Sequence, residues 1–268
     1  MAKTVESHAH REMREAIRRI TLGVKNLKVN EFDLQQLKAL NIRIDPISLN
    51  ENSPHRPTFF APYPSGLMPE TDDNALGGAY NGVDDDEPDS FFHSYYSCPN
   101  DRAYAVNNHL MSYISWCHTL HKGTEIPWTS GCPGDYPFTG LDKDEQPNHA
   151  CFAITDMDGP THPHVKAIML NNMVASESTI LCGELLPALR VMLMQFKKTR
   201  FLRQMVAPVM IISLMGLKAR VIEFYFSNNS LVVRPTKMFD FTHANDAAFK
   251  TLAQMYLGKP IGDTVQGV

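Results

Sequence analysis

Residues 206–237, VAPVMIISLMGLKARVIEFYFSNNSLVVRPTK, constrain the fold of this chain more than any other segment. Residues 209–215 form a nearly unbroken apolar run that ends at a glycine, and residues 219–227 are rich in β-branched and aromatic side chains. The Asn-Asn pair at 228–229 then precedes the apolar run 231–233. Because asparagine tolerates the left-handed backbone of a two-residue hairpin turn, the segment predicts a three-stranded antiparallel meander.

Composition indicates an ordinary globular protein. The chain has 268 residues, of which 43% are apolar and 20% charged, and no low-complexity linker divides it. We therefore expect one α+β domain spanning residues 1–268. A net charge of −4 gives no general attraction to phosphate, so a nucleic-acid partner is disfavoured. The apolar stretches are shorter than the roughly 20 residues of a membrane helix, so we expect no membrane association.

The N-terminal segment and the cysteines both favour a cytoplasmic location. The N-terminal residues 1–20 are charged and lack the apolar core of a signal peptide. The five cysteines are an odd number and never form a C-x-x-C pair, which argues against a disulfide framework or a zinc knuckle. Reduced thiols in a cytoplasmic protein are the simplest interpretation. No signal indicates an oligomeric state.

The chain divides into three stretches that differ in composition and predicted secondary structure. Residues 1–45 predict two helices, at 5–22 and 31–40. Residues 46–163 contain 14 of the 18 prolines and predict a loop-rich half with one helix, at 101–122. Residues 164–268 predict an α-β-β-β-α core, in which helices at 163–175, at 182–198 and, capped by Asn245, at 245–257 surround the strands. We expect the meander to pack on these helices and the loop-rich half to wrap over it.

Two patterns in the loop-rich half suggest metal ligands, each with a simpler explanation. The acidic run at 77–89 has oxygen ligands suited to a divalent cation, but its spacing favours a solvated loop. His118 and His121 share a helix face with Cys117 beside them, although partial burial or hydrogen bonding explains them more simply. No motif for a nucleotide or other cofactor occurs, so we expect no cofactor, with a divalent metal as the alternative.

The segment 151–164, CFAITDMDGPTHPH, carries the best acid–base candidates. Asp156 and Asp158 follow a strand-like run, and alternate residues of a strand share a face. Two such carboxylates can act as an acid–base pair or hold magnesium, with His162 and His164 close by in sequence. A Gly-Pro turn follows them, so turn formation is the competing interpretation.

A second pair of carboxylates suggests a different chemistry. The arrangement of a helix with Glu184 ahead of strands with Glu223 resembles the core of PD-(D/E)XK nucleases. That family needs an acid on one strand and E-x-K on the next, to bind magnesium and activate water. Here Tyr225 stands where the lysine belongs, and Ser213 lies in the strand where an acid is needed. The resemblance therefore implies the fold and leaves nuclease activity in doubt.

The C-terminal third also resembles a family of uncharacterised proteins from filamentous fungi. The residues that carry this resemblance are PVMIISLMGLKARVIEFYFSNNSLVVRPTKMFDF, LCGELLPALRVML and LGKPIGDT, within 165–264, together with DPISL near Asp45. The resemblance implies a fungal, intracellular origin in a setting where such proteins often serve specialised metabolism. It implies no particular reaction.

These observations favour a cofactor-independent enzyme that acts on a small, partly apolar molecule by cyclisation, isomerisation or hydrolysis. A nuclease-like or nucleic-acid-associated protein and a non-catalytic binding module are the alternatives. The abundant methionines can line an apolar pocket, although core filling is their commoner use. The expected catalytic residues are Asp156, Asp158, His162, His164 and Glu184, and the expected ligand-binding residues are Ser213, Glu223 and Tyr225.

Overall fold

The structure is a computed structural model that describes residues 5–50, 52–82, 97–120, 128–136 and 139–266. The acidic run at 77–89 lies outside the described residues from position 83 onward, and so does His121. The hypotheses of a cation site and of a His118–His121 pair are therefore not addressed by the structure.

Helices occur near both ends of the chain and in its middle. Those of the described ranges are α1 (His8–Leu27), α2 (Leu34–Ala39), α3 (Asp73–Leu76), α4 (Pro99–Leu120), α5 (Cys182–Lys197) and α6 (Asp246–Leu257). The predicted helix at 31–40 starts later than expected, because Asp33 caps the helix and residues 31 and 32 form a short strand. Asn245 caps α6 as predicted, since its side chain accepts from the backbone N–H of Ala248.

Strands occur in both halves of the chain. They are β1 (Glu31–Phe32), β2 (Ile42–Ile44), β3 (Phe60–Ala61), β4 (Trp128–Gly131), β5 (His149–Met157), β6 (Val165–Asn171), β7 (Ile180–Leu181), β8 (Val209–Met215), β9 (Lys218–Ser227), β10 (Ser230–Pro235), β11 (Phe239–Asp240) and β12 (Lys259–Pro260). The main sheet has the strand order β2-β10-β9-β8-β6-β5-β4, and β11 also pairs with β9.

The sheet is mixed, and the fold is of the α+β class. Strands β8, β9 and β10 pair antiparallel in chain order, and β4, β5 and β6 do the same. β6 and β8 are parallel and are joined through α5, while β2 and β10 are also parallel. The turn between β9 and β10 has positive φ at both Asn228 and Asn229, 49° and 59°, as expected for this hairpin.

The predicted helix at 163–175 is wrong, because residues 165–171 form strand β6. Every residue of β6 is buried, including Lys166. A strand that is covered on both faces has no apolar–polar alternation, so its short apolar run cannot be told from a helix by periodicity. The strand lies at the centre of the sheet, between β5 and β8.

Helices cover the sheet on both faces and create two apolar cores. We call these the α4/α6 face and the α1/α5 face. The α4/α6 face includes Ile168, Leu170, Ile212, Leu214, Val221 and Tyr225 of the sheet. The α1/α5 face includes Val165, Ala167, Met169, Ile211, Ile222 and Phe224. Within the described ranges, no helix has the length and apolar character that a bilayer crossing requires.

Candidate functional site

Asp156 lies at the end of β5, on the α1/α5 face, and forms an ion pair with the end of α5. Its Oδ2 is 2.9 Å from the Nζ of Lys198 and 3.7 Å from a guanidinium nitrogen of Arg200. The side chains of Asp156 and Lys198 are 20% and 28% exposed, so the pair is partly shielded and still reachable from solvent. This accessibility distinguishes it from the buried ion pairs of the fold.

A groove of about 570 Å³ opens beside this ion pair, and we call it the Asp156 groove. Its lining residues are Gly131, Cys132, Asp135, Tyr136, Asp156, Met194, Lys197 and Lys198. Burial, and then the charge of Asp156, raises the pKa of the Tyr136 hydroxyl, which therefore stays protonated at neutral pH. The groove combines two carboxylates, two ammonium groups, a phenol and an apolar wall.

The other acid–base candidates lie near Asp156 in sequence but not in the groove. Asp158 is exposed and accepts a hydrogen bond from the Thr129 hydroxyl at 3.1 Å. The Nδ1 of His162 lies 2.8 Å from the Thr161 hydroxyl. The ring centroids of His162 and His164 lie 5.7 Å apart.

His164 is separated from Asp156 by the sheet. Its ring is buried on the α4/α6 face, 5.4 Å from the ring of Phe60, and its Nε2 lies 3.0 Å from the carbonyl oxygen of Ile261. Burial lowers its pKa to about 4, so the ring is neutral at physiological pH. The structure therefore does not bring the four predicted acid–base residues to one site.

Glu184 and Glu223 also lie on opposite faces of the sheet, so the nuclease-like pairing of these carboxylates is not formed. Glu184 binds Arg220 on the α1/α5 face. Glu223 binds Arg234 at 2.9 Å and accepts from the backbone N–H groups of Thr58 and Phe59. Residues 220 and 223 of β9 are an odd number of positions apart, which places their side chains on different faces.

The expected ligand-binding residues lie on different faces of the sheet, with Ser213 apart from Glu223 and Tyr225. Tyr225 packs in the α4/α6 core, with its ring centroid 5.1 Å from that of Phe59. The Ser213 hydroxyl accepts a hydrogen bond from the side-chain amide of Asn171 at 3.1 Å. Ser213, Glu223 and Tyr225 therefore do not line one pocket.

A row of buried polar side chains crosses the sheet under the start of α5 and was not predicted. His149 stands opposite Asn171 in the β5–β6 register, Asn171 binds Ser213, and Ser213 stands opposite Arg220. We call these four residues the polar row. All are at least nine-tenths buried. The sequence signal for this row is Gly183 in L-C-G-E, because a glycine inside a helix can mark a place where the helix lies close to the sheet.

Lys166 is a further buried ionisable side chain that sequence reasoning missed. Its Nζ donates to the carbonyl oxygens of Tyr256, at 2.9 Å, and Gly258, at 2.6 Å, and lies 4.0 Å from the centre of the Trp128 ring. Burial lowers the pKa of Lys166 well below its usual value. Because both carbonyls lie at the end of α6, the side chain serves to fasten that helix end to the sheet.

The described part of the chain contains no group of three or more His, Cys, Asp or Glu side chains placed to hold a metal ion. Comparison of the chain with protein-family models, with curated proteins and with solved structures finds no significant match.

Proposed function

We propose that the protein is a cofactor-independent enzyme that binds a small, partly apolar molecule in the Asp156 groove and converts it by cyclisation, isomerisation or hydrolysis. The observation that supports this proposal is the accessible Asp156–Lys198 ion pair on the wall of a groove of about 570 Å³. Small-molecule sites in proteins commonly have volumes of roughly 300–1,000 Å³ and combine apolar walls with a few polar groups.

The groups around the groove suggest a division of roles. Asp156 is the candidate proton acceptor, because its carboxylate lines the groove and is reachable from solvent. Lys198 and the Tyr136 hydroxyl can donate hydrogen bonds to negative charge that develops on the substrate. Met194, which also lines the groove, supplies an adaptable apolar contact. A substrate with an apolar body and one carbonyl, phenolic or carboxylate oxygen fits this set.

The cellular setting is part of the same proposal. All five cysteines are free thiols, which is expected in a reducing compartment, and we place the protein in the cytoplasm. The resemblance of the C-terminal third to a fungal family favours a role in specialised metabolism. We expect turnover without a cofactor, and a divalent metal is the alternative.

A ligand screen with matched variants tests the proposal. We would measure binding by saturation-transfer NMR, and conversion by mass spectrometry, for a panel of small aromatic carboxylic acids, phenols, ketones and esters. Asp156→Asn should abolish conversion of any active compound. Asp158→Asn is the control, because Asp158 is an exposed carboxylate two residues away that does not line the groove.

The outcomes separate the alternatives. Binding that Lys198→Gln weakens, without any conversion, would indicate a non-catalytic binding module. Conversion that survives in Asp156→Asn, or binding that no groove variant changes, contradicts the proposal. Treatment with EDTA should leave turnover unchanged, whereas a loss that Mg²⁺ restores would assign a divalent ion to the reaction.

A further inference from the structure

Strand β2 lies at one edge of the main sheet, and within the described residues its outer side is not paired with another strand. On its inner side, Asn41 accepts a backbone hydrogen bond from β10 and Asp45 donates one to it. In a parallel ladder alternate residues bond to the same neighbour, so the backbone groups of Ile42 and Ile44 point away from β10. Their N–H and C=O groups are therefore available at the edge, where an added strand can bind them.

A groove of about 350 Å³ lies beside this strand, and we call it the β2 groove. Its lining includes Leu34 and Lys38 of α2 and Ile42, Arg43 and Ile44 of β2. A helix and an edge strand thus both contribute to it. Leu34 is 55% exposed and leaves an apolar contact open. Domains that bind a peptide by adding it to a sheet edge combine main-chain hydrogen bonds with contacts for alternate side chains, and the β2 groove offers both.

The charge of the β2 groove is positive, although the whole chain has a net charge of −4. Lys38 and Arg43 are exposed, and neither has an ion-pair partner among the described residues. The described lining contains no carboxylate, and the nearby Asp45 is already paired with Arg234. An adjoining groove of about 370 Å³, which shares a lining residue with the first, adds the exposed Arg19. Such a local positive surface attracts an acidic partner.

Neither a second copy of the chain nor a nucleic acid matches this edge as well. When two copies pair antiparallel, the register that uses every outward group sets Ile42 opposite Ile44 of the second copy and Arg43 opposite itself. Like charges directly opposite each other destabilise a sheet. A nucleic-acid backbone meets the cations with its phosphates, but phosphate oxygens cannot donate to the outward C=O groups. An extended polypeptide supplies both donors and acceptors, and acidic side chains supply the charge.

We propose that the β2 groove binds an extended acidic segment of a partner protein, which adds a strand to the sheet at β2. The main chain of the segment bonds to Ile42 and Ile44, and its side chains alternate between the two faces of the sheet. Acidic residues on one face meet Arg43. Residues on the face of Ile42 meet α2, where Leu34 offers an apolar contact and Lys38 an ion pair. The β2 groove shares no lining residue with the Asp156 groove.

Amide hydrogen exchange, measured by NMR on the full-length protein, tests this mode of binding. The probe is a short capped peptide of alternating glutamate and valine residues. At saturation the peptide should slow exchange of the Ile42 and Ile44 amides about tenfold or more, because their N–H groups become bonded. The Arg43 amide is the internal control, since it is already bonded to β10 and should change little. Binding that leaves the Ile42 and Ile44 amides unprotected overturns the proposal.

Fluorescence anisotropy of the labelled peptide provides the affinities. Arg43→Glu should weaken binding about tenfold or more, because it replaces an attraction by a repulsion. Lys25→Glu is the matched control, since Lys25 is an exposed residue of α1 that lines neither groove.

Altered peptides test the same proposal without changing the protein. A peptide N-methylated at alternate residues keeps its charges and loses its donors, so it should bind about tenfold more weakly. A peptide of alternating lysine and valine should not bind. Equal affinity for the N-methylated peptide refutes strand addition. Tighter binding of a single-stranded oligonucleotide than of the acidic peptide would assign the surface to nucleic acid instead.

Discussion

Glu184 of α5 and Arg220 of β9 form a fully buried ion pair, in which the guanidinium group binds both carboxylate oxygens. Arg220 also donates to the Thr179 carbonyl at 2.9 Å, and Glu184 accepts from the Leu181 N–H at 2.8 Å. The pair thus ties the start of α5 and the preceding loop to the sheet. This arrangement explains why a carboxylate that looks catalytic in the sequence serves the fold.

Removing one partner of this pair should destabilise the protein strongly. Glu184→Ala leaves the Arg220 charge buried without a counter-ion, which costs roughly 3–5 kcal/mol in comparable pairs. We expect this loss in the free energy of unfolding measured with urea. Glu70→Ala is the control, because Glu70 is exposed, pairs with Lys250 at the surface and should cost roughly 0–1 kcal/mol. Similar losses in both variants would contradict the structural role of Glu184.

Stability should fall between pH 6.5 and pH 4, partly because of His164. Burial lowers the pKa of His164 from 6.5 to about 4 in the folded state, so the unfolded chain binds a proton in this range and the folded protein does not. The contribution of His164 is present above pH 6.5, is lost as the pH falls, and amounts to about 3 kcal/mol.

Urea denaturation at several pH values measures this dependence. His164→Leu should reduce the slope of unfolding free energy against pH in this range. Part of the slope should remain, because burial also lowers the pKa of His149 to about 4. His55→Leu is the control, since this side chain is exposed. An unchanged slope in His164→Leu would show that His164 is already protonated in the fold.

Gly183→Ala should be destabilising even though alanine favours helices. The added Cβ would lie 2.1 Å from Asn171 Oδ1, so either the helix or the strand must move. Overpacking of this kind costs roughly 1–3 kcal/mol. The thermal midpoint of Gly66→Ala provides the comparison, because a Cβ at position 66 has no neighbour within 4 Å. A stabilised Gly183→Ala protein would mean that this close contact does not exist.

The ion pair of the Asp156 groove should matter little for stability. Asp156→Asn and Lys198→Gln each break a partly exposed contact, and such pairs contribute roughly 0–1 kcal/mol. Both variants should therefore melt within a few degrees of the parent protein in calorimetry. With stability unchanged, an effect of either variant on ligand binding could be attributed to the groove itself. A large drop in the melting temperature of either variant would show instead that the ion pair stabilises the fold.

The sequence by itself determined the local elements whose signals lie within a few residues. The apolar run of β8, the Asn228-Asn229 turn and the cap at Asn245 each record a backbone preference that does not depend on distant partners. The α+β class follows from these elements. The accessible carboxylate of Asp156 was also among the predicted residues, because it follows a recognisable strand.

Only the tertiary structure decided which residues meet. Strand β6 reads as a helix in isolation, because helices cover both of its faces and remove the alternation that identifies a strand. Glu184 finds its counter-ion 36 residues away, while His164 and Asp156 are assigned to opposite sides of one sheet. Successive side chains of a strand point to opposite faces of the sheet, and strands that pair can be separated by long loops. Proximity in the sequence therefore could not predict which residues form the site.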